Sequence, residues 1–92
     1  MENWLEKVYE RINVKFEAEH LPKILSLVRQ PSIAGTGEGI EKCANMVLDM
    51  LNDIGCVDGH LEHYVHSPVV SAKLMSEKLG APTLVVYGMY DV

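Results

Sequence analysis

No stretch of the sequence approaches the roughly eighteen consecutive apolar residues that a bilayer-spanning helix needs. The start, Met1-Glu2-Asn3-Trp4, lacks the basic and then apolar layout of a secretory signal. These two absences make the cytoplasm the expected setting. Basic residues are scarce: 8 Lys and Arg stand against 13 Asp and Glu, for a formal net charge of -5. The acidic residues are spread along the chain, which argues against nucleic acid and against an anionic membrane surface as partners. Cysteine is limited to Cys43 and Cys56, too far apart for a Cys-x-x-Cys redox or zinc motif. Both fall in or beside an apolar helical pattern and are expected to be buried thiols. Internal repeats and low-complexity tracts are missing as well.

What is present suits one small α/β domain spanning residues 1–92, with no second domain. Leu5, Val8, Tyr9, Ile12 and Phe16 recur at three- and four-residue spacing among charged residues, predicting an amphipathic helix. Trp4, Tyr9 and Phe16 give it an aromatic stripe suited to packing on a sheet or another helix. Pro22 interrupts this helix or opens a new one at its first turn, and Ile24, Leu25, Leu27 and Val28 continue an apolar face up to Pro31. Residues 32–39 form a small, polar, glycine-rich loop in which Thr36 is placed to cap the following helix. The sequence Gly35-Thr36-Gly37-Glu38-Gly39 superficially suggests a phosphate cradle. It follows a helix instead of a strand and has neither the lysine nor the third correctly spaced glycine of that fingerprint, so an interhelix loop is the better reading.

Ile40, Cys43, Ala44, Val47, Leu48, Leu51 and Ile54 predict the next helix, and Gly55 falls where a left-handed closing residue is expected. The period then shortens. Leu61–His66 and Val69–Leu74 read as strands separated by a bend at Ser67-Pro68, and Thr83-Leu84-Val85-Val86-Tyr87 reads as a sheet-centre strand covered on both faces. The architecture expected is two N-terminal helices followed by the first strands of a mixed, helix-covered sheet. His60, His63 and His66 recur every third residue, which invites a metal reading. In a strand, however, His63 faces away from the other two, and solvated or hydrogen-bonded structural histidines are expected.

In open α/β sheets ligand sites gather just past the carboxyl ends of central strands, where Tyr87-Gly88-Met89-Tyr90-Asp91-Val92 stands. This stretch resembles the Tyr-Gly-His-Tyr-Asp-Val motif of the zinc-dependent exopeptidase and amidohydrolase family. That family includes carnosine dipeptidase, carboxypeptidase G, aminoacylase, acetylornithine deacetylase and succinyl-diaminopimelate desuccinylase. Leu27-Val28-Arg29-Gln30-Pro31-Ser32-Ile33 is similar to the family's Leu-Val-x-x-Pro-Ser-x segment. The helix from Cys43 to Gly55 looks like its second helix, and His66-Ser67-Pro68-Val69-Val70 resembles the His-Pro-Val-Val strand before the metal strand. The resemblance runs from about Leu21 to Val92.

The resemblance implies a catalytic domain of the phosphorylase/hydrolase-like zinc peptidase type, incomplete here, whose complete member holds zinc and hydrolyses a small peptide or an N-acyl amino acid. It implies a zinc-bridged water, activated by a carboxylate base, attacking an amide carbonyl polarised by the metal. Asp91 matches the aspartate that orients the metal-binding histidine. Met89 stands where that histidine belongs, and a neutral thioether is a poor substitute for imidazole on zinc. The remaining ligands and the general base of the family lie in sequence after the motif, so the chain alone is expected to hold no zinc and to be inert. A truncated or pseudoenzyme form serving as a non-catalytic interaction or dimerisation partner is the alternative, and an unrelated free-standing binding domain is a third. The edge of Thr83–Tyr87 is expected to pair with other copies, giving homo-oligomers or aggregates.

Overall fold

A computed structural model describes residues 2–65 and 67–92. Its elements follow in the order α1 (Glu2–Lys15), a π-turn (Phe16–His20), α2 (Leu21–Arg29), α3 (Ile40–Asp53), β1 (Val57–Glu62) and β2 (Val69–Lys73). The chain is therefore α/β in the general sense.

Pro22 stands in the first turn of α2, as its sequence position suggests, and the chain stays helical through the π-turn before it. Its ring would collide with the carbonyl four residues back, and it has no N–H to continue the ladder. The helix widens immediately ahead of it instead, with the Leu21 N–H donating to the Phe16 carbonyl in the five-residue step of a π-turn. Lys15 bridges the start of the turn to Glu19 at 2.7 Å. That contact holds the exposed Glu19 carboxyl below the ordinary carboxylate range, first through the hydrogen bond and then through the ammonium charge.

The helix ends at Arg29 because Gln30, which precedes a proline, adopts extended backbone at φ -75° and ψ 120°. The expected Thr36 cap is not formed. The Thr36 hydroxyl accepts from the Glu38 N–H at 3.2 Å, within the loop, and Gly39 in left-handed backbone at φ 73° enters α3 without a side-chain cap. A side chain at Gly39 has no room, since a Cβ there would lie 2.0 Å from the Pro31 carbonyl oxygen. At the other end the expectation holds: Gly55 at φ 95° closes α3. Its N–H donates to Asn52, and the Cys56 N–H donates to Leu51, the paired bonds of a Schellman motif.

β1 and β2 form a two-stranded antiparallel sheet with Leu61 opposite Val70 and Glu62 opposite Val69. β1 starts four residues earlier than the sequence suggests and stops before His63. The shift is possible because Asp58 and Gly59 lie in a bulge between Val57 and His60, with Asp58 at φ 53°. Gly59 also lets the strand approach α3 closely, since a Cβ there would meet Asn52 and Leu48 within 3 Å. Leu61, Val70 and Ala72 turn towards α3, which packs on both strands.

Two further expectations are corrected. Thr83–Tyr87 has no regular secondary structure and belongs to no sheet, because among the described residues no neighbouring strand supplies its hydrogen bonds. The stripe of Trp4, Tyr9 and Phe16 is exposed, because among the described residues α1 packs closely on no element but the π-turn that follows it. Among the described residues the buried apolar core is accordingly small, with Ile40, Cys43 and Ala44 of α3 and Pro68 in it. The radius of gyration is 15.7 Å, against about 12 Å for a compact domain of this length. The accessible surface of 7865 Å² exceeds by about 2,500 Å² the value expected of a compact monomer of this mass. This molecule offers far more surface than a self-contained domain of its size.

Candidate functional site

The strand-end motif is fixed through its last three residues. The Val92 N–H donates to the Ser32 carbonyl at 2.8 Å, and the Ala34 N–H donates to the Val92 carbonyl at 2.9 Å. That pair of bonds, straddling Ile33, is a parallel-strand step. Two residues earlier the Tyr90 phenol donates to the Pro68 carbonyl at 2.5 Å, and the Cys43 thiol lies 4.0 Å from the Tyr90 carbonyl. Loss of solvent around the phenol pushes the Tyr90 pKa up, with the nearby Asp91 charge acting in the same sense. Ser32 is buried, and its hydroxyl has no partner among the described residues.

The loop can receive this segment because of its own closed geometry. The Ile33 N–H donates to Glu38 at 3.0 Å and the Gly37 N–H to Ile33 at 2.7 Å, while the Gln30 side-chain amide donates to the Pro31 carbonyl at 3.0 Å. Pro31-Ser32-Ile33 and Tyr90-Asp91-Val92, nearly sixty residues apart in sequence, therefore meet in space.

Position 89 lies outside the clamp. Met89 is 78% exposed, whereas Asp91 is half-buried. Of the histidines, His60 contacts Glu62 at 3.2 Å through Nε2 and the Asp58 carbonyl at 2.9 Å through Nδ1, and His63 Nε2 lies 2.7 Å from Glu41. His66 lies outside the described residues. Among the described residues no three His, Cys, Asp or Glu side chains gather where a metal ion could sit. The residues present do not fit the zinc that the resemblance implies: a solvent-facing thioether, a single nearby carboxylate and two histidines engaged elsewhere make no coordination shell.

The cysteines separate: Cys43 is buried beneath Tyr90, while Cys56 is half-buried just past the closing glycine, so only the first behaves as the sequence suggested. Sequence reasoning missed the clamp formed by Tyr90, Pro68 and Ser32. Its one sequence signal is the tyrosine between the two motif positions, since a phenol at the edge of a small core needs a polar partner. Two clefts lie elsewhere, one of about 370 Å³ between α2 and α3 and one of about 440 Å³ lined by α1, the π-turn and the end of α3, and the motif lines neither. No helix of the described residues is long and apolar enough to cross a membrane. Compared with family models, curated proteins and solved structures, the chain matches none.

Proposed function

We propose that this chain supplies the amino-terminal part of the catalytic domain of a zinc-dependent exopeptidase or amidohydrolase of dipeptidase type, and does not catalyse by itself. The observation that carries the reading is the meeting of two motifs. Pro31-Ser32-Ile33 and Tyr90-Asp91-Val92 bear the resemblance independently in sequence, and they are joined in the fold by a parallel-strand step. The exposed apolar run before the motif suits a strand awaiting neighbours in a mixed, helix-covered sheet. In this reading the complete protein works in the cytoplasm on a small peptide or an N-acyl amino acid and carries zinc, with ligands drawn from beyond these residues.

Met89 favours a second reading, in which the metal-ligand position has been lost and the product is a pseudoenzyme or truncated isoform. Both are tested on the complete product of the gene, carrying either Met89 or Met89→His, by zinc content and dipeptide hydrolysis. Zinc binding and turnover confined to the histidine form support the peptidase reading with a disabled ligand position. Equal activity of the methionine form removes position 89 from the ligand set. Inertness of both forms leaves the pseudoenzyme reading in place.

A further inference from the structure

Residues 82–89 combine three properties. Among the described residues they make no backbone hydrogen bond, so the N–H and C=O groups of the run are open to a partner. Leu84, Val85, Val86 and Tyr87 are each more than 80% exposed, so both faces are open too. From Leu79 to Tyr90 there is no charged residue. We propose that Thr83–Tyr87 is an association strand whose partner is the same segment of a second copy of this chain.

The choice of partner follows from chemistry and area. An apolar strand with free N–H and C=O groups is matched in length, side-chain size and hydrogen-bonding pattern by its own copy. The charge-free run removes the like-charge repulsion that ordinarily blocks identical edges from pairing. Pro82, the one residue there without an N–H, stands just before the strand and leaves its ladder intact. Together with Leu79 and Met89, the four exposed side chains offer on the order of 800 Å², the area each partner contributes to a standard interface. The apolar face of α1 is not charge-free in this way: its groove is lined by Arg11, Lys15 and Lys23 together with Glu19 and Asp53, which keep it hydrated. Each copy has two free edges, so one pairing leaves another open and association continues beyond a dimer. The inference does not rest on the peptidase reading and concerns residues 1–92 by themselves, because in a complete catalytic domain that domain's own strands would occupy the same edges.

Sedimentation equilibrium of the chain, with infrared detection of intermolecular strands, tests this against Val85→Pro and Ile12→Glu. The proline removes an N–H from the middle of the run, yet breaks no bond of the folded monomer. The expected result is a mass rising with concentration, association weakened at least about tenfold by Val85→Pro, and no change with Ile12→Glu. A wild-type chain that stays monomeric at every concentration overturns the proposal. So does a Val85→Pro variant that associates like wild type, or an Ile12→Glu variant that abolishes association. Metal binding and hydrolysis enter none of these readouts, so failure here is distinguishable from failure of the peptidase assignment.

Discussion

Gly39→Ala tests how the loop holds the strand-end motif. The residue sits at φ 73°, where an L side chain costs about 1–2 kcal/mol. The new methyl would also fall 2.0 Å from the Pro31 carbonyl oxygen and 2.7 Å from its carbon. Backbone atoms cannot yield as a flexible side-chain tip does, so residues 31–39 must move. Movement endangers the bonds that the Ser32 carbonyl and the Ala34 N–H make to Val92, each worth about 1 kcal/mol.

The total expected loss is about 3–4 kcal/mol. Gly55→Ala is the control: φ is 95°, and nothing lies within 4 Å of the added methyl, so only the backbone cost of about 1–2 kcal/mol applies. Urea denaturation followed by helical circular dichroism gives the two costs, and hydrogen exchange at Ala34 and Val92 reports the clamp locally. Equal costs for the two variants, or unchanged exchange at Ala34 and Val92 in Gly39→Ala, would refute the reasoning.

Tyr90→Phe removes the donor to the Pro68 carbonyl, and a loss of about 1–2 kcal/mol is expected, with faster exchange at Val92 in the same denaturation and exchange experiments. Two titrations set the pH dependence. Glu19 has a depressed folded pKa, so its contribution is present above the ordinary carboxylate range and is lost as pH falls through the lowered value; Lys15→Met should abolish that acid-side loss in a pH series of melts. Tyr90 has a raised folded pKa, so its contribution is complete below about 10 and is lost as pH rises through the raised value, a loss that Tyr90→Phe should remove.

The sequence made α3 legible because its apolar spacing and its closing glycine agree, and the paired bonds at Gly55 and Cys56 show that agreement realised. β1 was harder to place. Asp58 and Gly59 disfavour extended structure in isolation, and only the opposing β2 and the close approach to α3 hold them there. Thr83–Tyr87 errs in the opposite direction: its residue types favour a strand, but a strand is a pairing and needs a neighbour. The motif at Tyr87–Val92 was visible as a pattern of residue types. The bonds that fix it depend on Pro68 and Ser32, residues distant in sequence whose carbonyls carry no sequence signature.

The π-turn at Phe16–His20 sets the rotational phase of everything after it. Along an uninterrupted α-helix the apolar residues of α2 would project roughly 130° away from those of α1, at 100° per residue. The five-residue turn retards the helix by about one residue's rotation, which narrows that offset to roughly 30°. Leu5, Val8, Ile12, Ile24 and Val28 thus come to share one side of a rod that would otherwise show apolar residues on two sides. Whatever surface receives this rod can therefore approach it from a single direction, and the position of Pro22 selects that direction.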